Sequence, residues 1–106
     1  MDPIFLVPEA TVSVSIKPEY SGEILAGFTV EDGGPYEIRT ATGREYGKIQ
    51  KAFRDDDVDS LYELLPDFLL KGVGKKEMEN LHPFVVRAVL WDVIKRSRVS
   101  EAEAGK

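Results

Sequence analysis

Apolar residues in this chain recur at every second position before Thr40 and at every third or fourth position after it. A period of two belongs to a strand with one buried face, and a period near 3.6 to a helix with one buried stripe. Residues 11–17 (TVSVSIK) set Val12, Val14 and Ile16 against Ser13, Ser15 and Lys17, which predicts a half-buried strand. Ile4 to Val7 is a shorter apolar run between Pro3 and Pro8 and reads as an edge strand or an extended arm. Pro18 and Gly22 mark a turn or loop. Residues 24–31 (ILAGFTVE) form a second strand, Asp32-Gly33-Gly34-Pro35 a turn, and Tyr36 to Arg39 a short third strand. Residues 24–39 together are expected to fold as a hairpin.

Beyond Thr40 the helices have recognisable starts. Thr42-Gly43-Arg44-Glu45 fits a capping box, in which Thr and Glu satisfy each other's backbone N–H groups. Tyr46, Ile49, Ala52 and Phe53 follow at helical spacing, so the first helix is expected over 43–53. Val58, Leu61, Tyr62, Leu64 and Leu65 mark a second helix. Pro66 should kink or divide it, since proline lacks the N–H and crowds the preceding turn. Phe68, Leu69 and Leu70 are expected to continue its apolar face until Gly72 and Gly74 end it. Asn80 or His82 can cap a last helix over 83–96, with Pro83 at its first position. The segment Ser97–Lys106 is polar and reads as a frayed tail.

The expected fold class is therefore α+β: an N-terminal antiparallel hairpin or small sheet followed by three or four helices. At 106 residues the chain is one domain, placed at 1–100, with 101–106 as a flexible tail. Composition narrows the function classes. No Cys excludes disulfides, thiolate metal sites and a Cys nucleophile, and a single His excludes a multi-His metal centre. The net charge of −5 argues against non-specific duplex DNA binding. No run approaches the ~20 apolar residues that cross a bilayer. Met1-Asp2-Pro3 lacks a basic leader, so a cytoplasmic protein that binds neither nucleic acid nor membrane is expected.

Motifs for chemistry fail on inspection. Gly72-Val73-Gly74-Lys75-Lys76 resembles a phosphate loop, but the glycine that the pattern requires is Leu69 and the hydroxyl position is Lys76. Asp55, Asp57 and Asp59 match the first ligands of a calcium loop, but the obligatory glycine is Ser60 and the final Glu is Pro66. Acids ahead of a helix more simply cap it. His82 could pair with Ser60 or Ser97, yet no nucleophile elbow surrounds either serine. No catalytic residue, metal ligand or cofactor is expected.

The last helix is unusual in carrying two apolar stripes. Val86, Val89, Leu90, Val93 and Ile94 share one face, while Phe84, Ala88 and Trp91 form a second strip beside Arg87 and Lys95. One stripe suffices to bury a surface helix. The second is expected to meet the sheet or another chain, which makes Phe84, Ala88, Leu90, Trp91 and Lys95 the candidate partner-binding residues. The partner is a protein, with self-association as a further possibility.

Residues 36–101 resemble the tail assembly chaperones of long-tailed bacteriophages. The resemblance runs through Tyr36-Glu37-Ile38-Arg39, the helix start Thr42 to Tyr46, the Leu-rich run Leu61 to Leu70, an acidic segment with Leu81, the proline-started apolar helix, and the exit Ser97-Arg98-Val99-Ser100-Glu101. The strand-rich residues 1–35 stand outside it. The resemblance implies a non-enzymatic protein in the host cell cytoplasm that binds the tape measure protein and helps recruit tail tube subunits. It also implies two forms made by ribosomal frameshifting, and Ala104-Gly105-Lys106 can be spelled as a slippery heptamer. The alternatives are a structural virion subunit of the tail or head–neck region, or a small regulatory binder of a host protein.

Overall fold

Strand β1 (Thr11–Ser21) is long enough to take two partners in succession. The structure, a computed structural model, describes residues 10–104, with side chains described as far as Ser97. The first half of β1 pairs antiparallel with β3 (Tyr36–Arg39), from Thr11 opposite Arg39 to Val14 opposite Tyr36. The second half pairs antiparallel with β2 (Ile24–Asp32), from Val14 opposite Asp32 to Ser21 opposite Ile24. The sheet order is β2-β1-β3-β4, the fourth strand being the short β4 (Leu69–Lys71).

The α+β class is as expected, but the hairpin is not. It is β1 and β2 that fold back on each other, through Gly22 at φ 65°, and residues 24–39 are not a hairpin. Asp32-Gly33-Gly34-Pro35 carries the chain across the end of that hairpin instead, with the Gly33 N–H donating to the Ser13 carbonyl at 2.7 Å. Pro18 lies inside β1 rather than in a turn. It is tolerated because β3 has already ended at Val14, so that stretch of β1 has a neighbour on one side alone. The run Ile4 to Val7 lies outside the described residues.

Helices α1 (Gly43–Arg54), α2 (Val58–Phe68), α3 (Lys75–Met78) and α4 (Pro83–Ala104) follow the strands. Pro66 sits within α2 without dividing it; near the C-terminal end it deletes a single bond, to the carbonyl one turn back. The helix stops at Phe68, earlier than expected, and Leu69–Lys71 turns extended as β4. Leu69 pairs with Ile38 of β3, and both are fully buried. A strand wins here because the free edge of β3 offers the segment backbone partners that a longer helix would leave unpaired. Gly72 follows at φ 106° against the ring of Tyr36, where a Cβ would overlap the ring. α4 continues well past residue 96, and Ser97, expected in a frayed tail, is buried. Its hydroxyl accepts from the Ala41 N–H at 3.0 Å and donates to the Val93 carbonyl at 2.8 Å.

The core lies between one face of the sheet and the helices. Val14 and Ile38 meet Ile49, Leu61, Leu65 and Phe68, together with the expected stripe Val86, Val89, Leu90, Val93 and Ile94 of α4. The other face of the sheet is polar, with Lys17 3.6 Å from Glu31 and Thr29 bonded to Glu19. Arg39 pins the chain where it leaves the sheet. Its guanidinium takes Glu45 bidentately at 2.9 and 2.7 Å and donates to the Asp67 carbonyl at 2.7 Å. It also lies 4.5 Å from the centre of the Phe68 ring. Glu45 accepts the Thr42 N–H as well, at 3.0 Å, as the capping box requires.

Two predictions follow from these contacts. The Arg39 hydrogen bonds hold the Glu45 carboxyl at a pKa of about 2, below its ordinary 4.5. A depressed pKa stabilises the fold above the unfolded value and loses that contribution as pH falls towards the folded one. Glu45→Gln should therefore cost about 1–2 kcal/mol at pH 7, after allowance for partial solvent screening. The gap to wild type should close between pH 4.5 and 2 in urea unfolding. A gap that stays constant with pH would show that the carboxylate charge is not what Arg39 holds. Gly72→Ala should cost about 2–3 kcal/mol in the same assay, from positive-φ strain and overlap with Tyr36.

Candidate functional site: an apolar flank on the last helix

α4 lies along β2, with its buried stripe turned to the core and its second strip turned sideways to solvent. Phe84 is 39% and Trp91 45% exposed, and Ala88 between them is half-buried. Lys95 continues the line one turn on and is exposed. Leu90, expected on the contact surface, is 0% exposed. At 100° per residue it belongs with Val86 and Val93, and it supports the strip from behind rather than lying on it.

The strip floors an open groove of about 390 Å³. One wall is β2, the terminal strand of the sheet, through Ala26, Gly27 and Phe28. The other is Phe53 at the end of α1, whose ring meets Trp91 edge-on at 5.9 Å. Aromatic contacts close the upper end, with His82 4.7 Å from Phe84 and 6.2 Å from Phe28 between ring centres. Arg87 crosses the rim to Asp56 at 2.6 Å, and its Nε has no partner among the described atoms. Asp56 adopts φ 52°, a left-handed conformation that Asp tolerates better than most residues.

The candidates for chemistry are placed in structural roles. Asp57 caps α2, accepting from the Ser60 N–H and hydroxyl at 3.2 and 2.7 Å, and those bonds hold its carboxyl below the ordinary range. His82 caps α4 through Nδ1, which accepts the Phe84 N–H at 3.0 Å. It is not joined to Ser60, which bonds Asp57, or to Ser97, which bonds Ala41 and Val93. Lys75 and Lys76 form the single turn of α3 behind Gly74. No cluster of metal-ligating side chains occurs among the described residues, and no helix there is long and apolar enough to cross a membrane.

Phe28 and Phe53 were missed as parts of the surface. Both look like core positions in sequence, and only the strand order brings β2 to the edge beside α4. Comparison with protein-family models, with curated proteins and with solved structures yields no match, so the flank is read from its own geometry.

The two stripes of α4 should separate in a stability assay. Leu90→Ala should cost about 3 kcal/mol by leaving a cavity, and Phe84→Ala less than about 1 kcal/mol. Equal costs would place Phe84 in the core and remove the flank as a site.

Proposed function

We propose that this chain is a non-enzymatic assembly chaperone that holds an apolar segment of another protein against the α4 flank. The observation that carries the reading is the open strip Phe84–Ala88–Trp91, left uncovered beside a core that the other stripe of the same helix already fills. An aromatic strip walled by a strand and rimmed by Arg87, Asp56 and Lys95 is the kind of surface that holds an apolar helix or strand. The net charge of −5 keeps such a protein soluble while that strip is bare.

The resemblance to tail assembly chaperones names the client. It is the tape measure protein of a long-tailed phage, whose long apolar helices need shielding in the host cytoplasm until tail tube subunits are recruited. The runner-up is a structural tail or head–neck subunit, favoured by the free β2 edge, which could extend a neighbour's sheet.

The test is co-expression with the long helical reading frame downstream of the gene. Wild type should keep that product soluble and co-purify with it. Trp91→Asp, with an unchanged circular dichroism spectrum, should lose at least about 30-fold in affinity. The absence of such a frame, or a Trp91→Asp variant that holds the client as well as wild type, would overturn the reading. A gene lying among capsid or portal genes would favour the structural subunit.

A further inference from the structure

We propose that a second copy of this chain closes the flank, pairing β2 antiparallel with the partner's β2 about a two-fold axis and laying the two α4 strips side by side. The inference rests on the flank being an interface and goes beyond the chaperone reading, because it needs no client.

The argument begins with what shares the flank. Among the described residues β2 ends the sheet, and the groove joins its Ala26–Phe28 segment directly to Phe84, Ala88 and Trp91 of α4. A lone helix laid in the groove would leave the β2 edge unpaired, and a lone strand would leave the aromatic strip bare. A second copy brings both an edge strand and an apolar helix, in the same relation to each other. Rotation about an axis normal to the sheet keeps both helices on one face and makes strands and helices antiparallel together. Ala88, between the two large side chains, gives the closest approach, and Phe84 of each copy faces the partner's Trp91.

The two sheet edges differ in the way this requires. At the far edge β4 has three residues, ends in Lys71 and is followed by Gly72 at φ 106°. Short length and charge are how natural sheets block edge pairing. β2 has nine residues, and residues 24–30 (ILAGFTV) contain neither a charge nor a proline. Only the irregularity at Ala26, which has no partner on β1, interrupts the edge.

Size agrees. A nine-residue edge is about 30 Å long and a sheet-plus-helix flank about 20 Å deep, giving roughly 600 Å² per copy. That is about 1,200 Å² in all, the lower end of stable interfaces, so the dimer should be concentration-dependent.

Sedimentation equilibrium from about 1 to 500 µM tests the pairing. Wild type should shift from monomer to dimer. Ala26→Lys at the edge and Trp91→Asp on the strip, both with native circular dichroism, should each weaken dimerisation at least about 30-fold. The chain lacks cysteine, so single cysteines report position cleanly. A bifunctional thiol cross-linker of about 10 Å should join copies through Thr29→Cys on β2 and not through Leu70→Cys on β4. A wild type that stays monomeric, a dimer indifferent to both substitutions, or cross-linking through Leu70→Cys alone would each overturn the proposal. A monomer that still captures the tape measure client overturns the pairing and spares the chaperone reading. A dimer that captures no client does the reverse.

Discussion

Arg39 is the constraint on which the rest of the structure depends. Its side chain is 13% exposed, so its charge has largely left water and must be matched on every side. The planar guanidinium does this with the Glu45 carboxylate, the Asp67 and Thr40 carbonyls and the face of Phe68. A lysine has no such fork and would leave some of these acceptors unmatched. The bonds join the end of β3 to the first turn of α1 and the last turn of α2. Because the end of α2 is held there through its Asp67 carbonyl, the chain leaves it extended, and Leu69 falls opposite Ile38. Two residues beyond Arg39, the Ala41 N–H reaches Ser97 and ties α4 to the same junction.

That junction explains what could and could not be read from the linear pattern. The change of period at Thr40, the capping box at Thr42–Glu45, the Asp57 cap and the buried stripe of α4 are all local, and each appears where the pattern places it. Leu90 and Pro66 apart, whose places follow from local helix geometry, the mistakes are non-local. Residues 24–39 carry two strands and a glycine turn, the local signature of a hairpin, but β1 is long enough to take both strands as partners. Leu69 and Leu70 continue a helical pattern, but the unpaired edge of β3 claims them. Ser97 looks like surface because its acceptor and donor partners lie partly on a segment 56 positions away in sequence. The strip was legible as Phe84, Ala88 and Trp91 for the same local reason, while its walls at Phe28 and Phe53 needed the tertiary fold.

The exposure of that strip has a cause in chain length. α4 is wedged against β2 below and α1 above, and neither covers its side. α1 ends at Arg54, so Phe53 is its last apolar residue to reach Trp91, and the two rings meet in a T-shaped pair. The following turn at Asp56 carries the chain away to α2, leaving a carboxylate on Arg87 where another apolar turn would have closed the groove. Leaving parts of a Phe and a Trp in water forgoes about 25 cal/mol per Å² of burial, a cost that a covering partner would recover.

The buried contacts that hold the fold and the exposed strip thereby lie on different sides of α4. The Arg39 junction, β4 and the stripe from Val86 to Ile94 hold the fold together, with α4 packed against both α2 and β2. The strip Phe84, Ala88 and Trp91 lies outside that buried cluster. Substitutions on the two sides should therefore act almost independently, since groups that share no partners have nearly additive effects.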